Sequence, residues 1–181
     1  HRFPVHCLTK SPLILRDLDI LEEIDERAIL PDDLKIVGRG VLITFSFSTL
    51  NPEISKIFEP GAPSPLERLK ALKEVRDAGF KAGVAYIPVL PFISDSEEEL
   101  ERMIGAAKEF GADYIFVGAL TLYGSGKELY YRVLERYFPE HLPKYERLYL
   151  GRGEPPLSYR RKLETVSRRI CAEKNVRYMI I

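Results

Sequence analysis

The sequence predicts an α/β protein in which helices cover a parallel β-sheet. Apolar runs of strand length alternate four times with segments of helical periodicity. The runs are nearly continuously apolar, as expected for parallel strands that are buried on both faces. Gly79 and Gly111, which should end two successive helices, follow one another at the spacing of a β/α unit, roughly 30 residues or more.

The first unit begins with a strand at Val5–Thr9. Ser11 is suited to cap the following helix, and Pro12 to occupy its first position. The buried face of this helix is predicted from apolar residues at helical spacing: Leu13, Leu18, Leu21 and Ile24. The first strand therefore leads directly into its covering helix.

The second unit starts with the strand Val41–Ser48 and continues through a loop rich in proline, glycine and serine. Ser64 and Glu67 then form a capping box around Pro65, the first helical residue. The apolar residues of this helix recur at helical spacing: Leu66, Leu69, Leu72 and Val75. We expect the helix to end at Gly79.

The third and fourth units repeat this layout. The apolar run Ala82–Ile93 leads to a second capping box, Ser96 with Glu99, and Tyr114–Leu122 leads through Gly124–Gly126 into a fourth helix. The third helix has the buried stripe Leu100, Ile104, Ala107 and Phe110, and the fourth carries Leu129, Val133, Leu134 and Tyr137. These strands belong either to a complete open sheet of four or five strands or to the C-terminal piece of a larger barrel, and periodicity alone does not decide between the two.

We divide the chain into a barrel-like part, 1–138, and a basic C-terminal extension, 139–181, packed on it. Leu163, Val166 and Ile170 have the spacing of an amphipathic helix, whose basic outer side is either solvated or in contact with a phosphate backbone. If the sheet is open, its exposed edge could support a dimer.

The composition excludes several classes of protein. The 27 basic residues balance the 27 acidic ones, so the overall charge does not mark a protein that binds nucleic acid or a membrane surface. The two cysteines are far apart in the sequence, which excludes a disulfide scaffold. No apolar run approaches the roughly 20 residues of a membrane span, and no signal peptide is visible, so we predict a cytoplasmic protein. The absence of glutamine and the 30 % of charged residues suggest adaptation to heat.

Candidate binding groups lie where the strands end, because ligands of parallel α/β folds bind there. Strand alternation places Thr44, Ser46 and Ser48 on one face, which indicates either a ligand-lined interior or hydroxyls bonded to the backbone. Lys10, between a strand and a helix start, is placed to meet a carboxylate or phosphate, or else is a surface lysine.

Other motifs give weaker indications of a functional site. Gly124–Lys127 lacks the first glycine and the Ser/Thr of a phosphate loop and is better explained as a loop running into a helix. Asp95 and Asp113 could form a carboxylate pair but are equally suited to caps or turns. The histidines and cysteines show no metal-ligand spacing: His1, His6, His141, Cys7 and Cys171.

Taken together, several motifs resemble the second half of radical SAM enzymes, in the branch related to spore photoproduct lyase. They are Thr9-Lys10-Ser11-Pro12, Ser46-Phe47-Ser48-Thr49-Leu50, Phe58-Glu59-Pro60-Gly61-Ala62-Pro63-Ser64 with Arg68, and Ile87-Pro88. The resemblance covers most of residues 5–138. It implies strands three to six of a partial (β/α)6 TIM-like barrel.

The resemblance also implies cofactors. In the complete protein these would be S-adenosylmethionine (AdoMet) and a [4Fe–4S] cluster that cleaves it to a 5′-deoxyadenosyl radical. Lys10 would hold the AdoMet carboxylate, Ser48 would meet its ribose or amino-acid portion, and the backbone near Ile87 would border the adenine. Ser46 joins this set from strand geometry alone. The resemblance suggests DNA as a partner and lyase or repair chemistry.

The 181 residues contain no C-x-x-x-C-x-x-C motif, and Cys7 matches no cluster ligand of the family. Because the cluster requires thiolate ligands, we expect this chain alone to be inactive and assign it no catalytic residue. The preferred hypothesis is the C-terminal portion of a radical SAM enzyme. The alternative is a non-catalytic α/β module that binds a nucleotide-like ligand, a nucleic acid or a protein.

Overall fold

The computed structural model describes residues 1–180. Within this range the chain forms one parallel sheet of five strands, which are adjacent in chain order. The strands are β1 (Val5–Thr9), β2 (Val41–Phe47), β3 (Lys81–Val89), β4 (Tyr114–Ala119) and β5 (Arg177–Tyr178). The sheet is open, with β1 at one edge and β5 at the other.

The predicted α/β class is confirmed, since helices connect the parallel strands. They are α1 (Leu18–Arg27), α2 (Pro52–Phe58), α3 (Pro65–Asp77), α4 (Glu97–Glu109), α5 (Gly124–Tyr137), α6 (Leu142–Tyr149) and α7 (Leu157–Glu173). Short 3-10 helices span Pro12–Asp17, Asp32–Val37 and Pro139–His141. No helix in residues 1–180 combines the length and the apolar composition needed to cross a membrane.

The two faces of the sheet differ. One packs against helices and forms the main core, with Ile43, Phe45 and Val84 fully buried. The opposite face, called the inner face below, carries the alternate residues, among them Leu8, which is 60 % exposed, and Ile87, which is 37 % exposed. An open sheet with one helix-covered face and one partly bare face matches a barrel segment whose interior is uncovered.

Two segments differ from the prediction in the first half of the chain. Residues Pro12–Asp17 form a 3-10 helix with three residues per turn, so the 3.6-residue spacing fails there and Leu13 is exposed instead of buried. The loop after β2 contains the unpredicted helix α2, which Asn51 caps by accepting from the backbone N–H groups of Glu53 and Ile54.

Further differences occur at strand ends and caps. β3 and β4 are shorter than the apolar runs, and the residues beyond them, including Leu90 and Leu122, enter a second apolar cluster with α5 and α6. Ser96 accepts from Glu99 N–H as predicted, but the Glu99 carboxylate pairs with Arg102, so the box is half formed. α5 begins at Gly124, inside the expected loop.

The C-terminal extension is built onto the sheet. α7 packs on α4 and β4, with Leu163 and Ile170 of its predicted stripe buried, and it leads to the unpredicted strand β5 beside β4. Part of its basic side is neutralised, because Arg168 pairs with Glu164 and Arg169 pairs with Glu97 and Glu173. The other edge of the sheet, β1, has β2 as its one strand neighbour among residues 1–180. The single chain gives no support to the predicted dimer.

Candidate functional site

The predicted residues meet at the C-terminal ends of β1, β2 and β3. Lys10 follows β1 in a tight turn, in which the Thr9 hydroxyl accepts from Ser11 N–H at 2.9 Å and the Ser11 hydroxyl caps the next helix. This turn fixes the backbone of Lys10 at the end of the strand and directs the side chain across the neighbouring strand β2.

A chain of hydrogen bonds joins three of the four predicted residues. Lys10 Nζ donates to Ser46 Oγ at 3.0 Å, and Ser46 Oγ donates to the Ile87 carbonyl at 3.0 Å. The contact of Ile87 is thus through its backbone. Three adjacent strands therefore contribute one polar group each to a single spot on the inner face, as the rule about strand ends predicts.

Two further residues, for which the sequence predicts no role in the site, complete this cluster. Glu59 Oε1 accepts from Lys10 Nζ at 2.8 Å, while Glu59 Oε2 pairs with Arg68 and accepts from Ser55 Oγ at 3.2 Å. Glu59 lies in the Phe58–Ser64 loop, where Gly61 takes a positive φ of 82° that favours glycine. The sequence contained a signal for this pair, because Glu59 lies within this loop and Arg68 follows it on an otherwise apolar helix stripe.

Arg68 is fully buried and satisfied by its surroundings. Its guanidinium donates to the Ser46 carbonyl at 2.7 Å and to the Pro63 carbonyl at 2.9 Å, in addition to Glu59 and Ser55. These bonds tie α3 to both β2 and the loop that carries Glu59. Arg68 thus fixes the carboxylate that in turn contacts Lys10.

The environment keeps Glu59 ionised. Burial by itself raises the pKa of Glu59, but hydrogen bonds and charges from Arg68 and Lys10 outweigh it, so the pKa lies below its ordinary value of 4.5. The cluster of Lys10, Glu59 and Arg68 therefore holds two cations and one anion and carries one net positive charge. Its exposed member is Lys10, whose side chain is 38 % accessible.

A pH dependence follows from Glu59. Because its folded-state pKa is lowered, its contribution to stability is present above the unfolded pKa of 4.5 and disappears as the pH falls through the folded value. We expect the free energy of unfolding, measured with urea, to fall between about pH 7 and pH 3 by less in Glu59→Gln than in the wild type. Glu53→Gln, at an exposed ion pair on α2, should leave the wild-type fall unchanged; an equal fall in all three proteins would contradict the assignment.

Ser48, the fourth predicted residue, is buried at the end of β2. Its carbonyl accepts from Ser94 Oγ at 2.8 Å, which fastens the loop after β3 to this point. Its own hydroxyl has no hydrogen-bond partner among the described residues, although the residue is 1 % exposed. Buried hydroxyls in native proteins are normally paired, so an unpaired one at this position marks a place where a ligand could supply the partner.

Thr44, which shares the face of Ser46 and Ser48, has a structural role instead. Its hydroxyl lies 2.7 Å from Tyr114 Oη and 2.7 Å from His6 Nε2, which makes a polar chain across four strands. Burial raises the pKa of Tyr114 to about 12 and lowers that of His6. The hydroxyl row is therefore divided: the hydroxyls of Thr44 and Ser46 are hydrogen-bonded, and that of Ser48 has no partner among the described residues.

The weaker candidates do not form sites. Asp113 accepts from Ala82 N–H and pairs with Arg76 where β3 and β4 begin, whereas Asp95 accepts from Phe92 N–H and Tyr159 Oη beyond the end of β3. The two carboxylates thus lie at opposite ends of the sheet. No group of three or more His, Cys, Asp or Glu side chains that could hold a metal occurs in the part of the chain that the structure describes.

A [4Fe–4S] cluster does not fit the cysteines of residues 1–180. Cys7 is on the helix-packed side of β1, Cys171 is buried in α7, and burial raises the pKa of both thiols, which disfavours the thiolate. No step through a cluster can therefore be assigned to this chain.

The sequence is similar to several proteins of about twice its length, and no known family model matches it. An uncharacterized protein of Mycobacterium tuberculosis (strain ATCC 25618 / H37Rv) is 32 % identical over 160 residues, which are 88 % of this chain and 44 % of that protein. An uncharacterized protein of Methanocaldococcus jannaschii is 28 % identical over 139 residues, 77 % of this chain and 46 % of its own. The chain thus spans less than half of these relatives.

Solved structures of spore photoproduct lyase share the fold. A mutant with bound AdoMet and dinucleoside spore photoproduct aligns with a TM-score of 0.64 and 19 % identity over 97 % of this chain and 50 % of that chain. Another mutant with the dinucleoside spore photoproduct aligns with a TM-score of 0.64 and 20 % identity, again over 97 % of this chain and 50 % of that chain. The predicted resemblance is confirmed at the level of the fold, and it extends into residues 139–180. The chain has the fold of about half of that enzyme.

Proposed function

We propose that this chain is the C-terminal half-barrel of a radical SAM enzyme of the spore photoproduct lyase-like group, and that it supplies part of the AdoMet pocket. The fold likeness over 97 % of the chain supports this proposal. The observation that carries it is the convergence of Lys10, Ser46 and the Ile87 carbonyl on the inner face. In such enzymes AdoMet, once bound, is the source of the 5′-deoxyadenosyl radical.

The residues present fit AdoMet. The net positive cluster ends in the partly exposed Lys10 ammonium, which suits the carboxylate of the methionyl group. Ser48 offers a buried hydroxyl without a partner in residues 1–180, which suits a ribose hydroxyl or the amino-acid portion. The peptide groups near Ile87 would border the adenine. The thiolates that hold the cluster would come from the remainder of the complete protein.

The substrate cavity would be the inner face itself. Its partly bare apolar surface, including Leu8 and Ile87, would be enclosed by the remaining strands of the barrel. A spore photoproduct lyase structure with the same fold contains a bound dinucleoside spore photoproduct. This supports a DNA lesion as the substrate and repair-type lyase chemistry. A self-sufficient module would instead cover the edge at β1, where the structure of residues 1–180 places no strand.

The test is AdoMet binding by the complete protein that includes this chain. Lys10→Ala should weaken AdoMet binding about 10- to 100-fold, because it removes a charge-assisted hydrogen bond to the carboxylate. The dissociation constant is measured by equilibrium dialysis under anaerobic conditions after cluster reconstitution. Lys56→Ala removes an exposed lysine of α2 whose ion-pair partner is Glu53, and it should bind like the wild type.

Two results would contradict the proposal. One is a complete protein that takes up no iron–sulfur cluster and binds no AdoMet. The other is equal AdoMet affinity in Lys10→Ala and the wild type. The first result would favour a non-catalytic module, and the second would move the AdoMet site away from the end of β1.

A further inference from the structure

The Lys10 ammonium contacts a buried carboxylate, Glu59, which is in turn paired with a buried arginine, Arg68. Glu59 uses its two carboxylate oxygens separately, one for Lys10 at 2.8 Å and the other for Arg68 and Ser55. The side chain of Glu59 is 6 % exposed and that of Arg68 is 0 % exposed. In an ordinary surface ion pair the carboxylate beside the lysine would be exposed, and no second, buried cation would contact that carboxylate.

Arg68 cannot itself serve a ligand. Its donors are directed to the Ser46 and Pro63 carbonyls, Ser55 and Glu59, and its guanidinium lies 5.3 Å from the ring centre of Phe47. It therefore acts on the site through the carboxylate that it anchors.

Lys10 has donor capacity to spare. An ammonium carries three N–H donors, and the contacts with Ser46 and Glu59 use two of them. The Ser46 hydroxyl gives its proton to the Ile87 carbonyl, so its oxygen is fixed as an acceptor for Lys10. Two acceptors on neighbouring elements thus define the direction of the ammonium and leave one donor for a ligand.

We propose that Glu59 is a positioning residue for the AdoMet carboxylate: it orients the Lys10 ammonium, and Arg68 holds Glu59 in place and leaves the cluster with one positive charge for the ligand. This inference rests on the proposed function, because it takes AdoMet as the ligand of Lys10. Its chemical content is that affinity for the carboxylate-bearing part of AdoMet depends on a residue that does not contact AdoMet.

The experiment compares AdoMet with 5′-methylthioadenosine, which keeps the nucleoside and lacks the methionyl carboxylate. In the complete protein, Glu59→Gln should weaken AdoMet binding about tenfold and leave methylthioadenosine binding unchanged, because the glutamine no longer orients an ammonium toward a carboxylate. Glu59→Asp, which keeps the charge, should recover part of the AdoMet affinity. General damage to the fold would weaken the binding of both ligands to a similar extent.

A second variant covers the case in which Glu59→Gln does not fold, since that change leaves Arg68 buried without its carboxylate. The double variant Glu59→Gln/Arg68→Met removes both charges and should fold, but it should still lose AdoMet affinity relative to methylthioadenosine. A ratio of the two affinities equal to that of the wild type would overturn the inference. If the wild type binds methylthioadenosine and AdoMet equally, Lys10 holds no carboxylate, and the proposed function fails first.

Discussion

Replacing Arg68 by methionine should lower the free energy of unfolding by about 3–5 kcal/mol, the usual effect of removing one partner of a buried ion pair. Methionine fills part of the volume but provides no donors. Glu59, whose side chain is 6 % exposed, then keeps Lys10 as its one cationic partner among the described residues, and the Ser46 and Pro63 carbonyls lose a donor each. The measurement is urea unfolding followed by circular dichroism.

The matched control is the same substitution at an exposed ion pair. Arg102 lies on α4, pairs with Glu99, and has a side chain that is 55 % accessible. Arg102→Met should therefore change the free energy of unfolding by at most about 1 kcal/mol. If both variants lost the same free energy of unfolding, the hydrogen bonds of Arg68 would stabilise the fold no more than an exposed ion pair does. Arg68 would then not be the residue that holds Glu59 in place.

The repeated units could be predicted because their signals are local. In α3, Ser64, Pro65 and Glu67 specify the start, and Gly79 takes the positive φ expected where the chain leaves the helix. Helix α2 carries comparable signals in Asn51 and Pro52 but is only seven residues long, too short for hydrophobic periodicity to show. The two-residue strand β5 has no local signal, because its pairing with β4 depends on where α7 ends.

The site could be predicted in part for the same reason. Lys10 and Ser46 follow from the rule that parallel strands present their C-terminal ends at one edge, and Ser46 also from strand alternation. Glu59 and Arg68 meet them only after the loop before α3 has folded, a tertiary contact that strand geometry does not specify. Strand alternation places the Thr44 hydroxyl on the same face as those of Ser46 and Ser48, but it does not predict that Tyr114 bonds to Thr44.

Replacing Gly83 by alanine should cost about 2–4 kcal/mol of the free energy of unfolding, through overpacking and the loss of a buried hydrogen bond. Tyr114 of β4 lies across Gly83 of β3 and reaches Thr44 of β2. A Cβ atom at Gly83 would lie 2.4 Å from the Tyr114 ring and 2.5 Å from the Tyr114 carbonyl oxygen. Neither can give way easily, because Tyr114 is fully buried and its carbonyl belongs to the sheet.

Gly118 provides the comparison on the neighbouring strand. A Cβ atom there would meet only the Ile87 side chain within 3 Å, at 2.9 Å, and that side chain is 37 % exposed and has room to move. Gly118→Ala should therefore cost far less than Gly83→Ala, although both add one methyl group to the inner face. Urea unfolding of the two variants checks the difference, and near-ultraviolet circular dichroism of the tyrosines should change in Gly83→Ala. Equal stabilities would mean that the Tyr114 ring is free to leave β3, and that the polar chain from Tyr114 through Thr44 to His6 does not hold the inner face together.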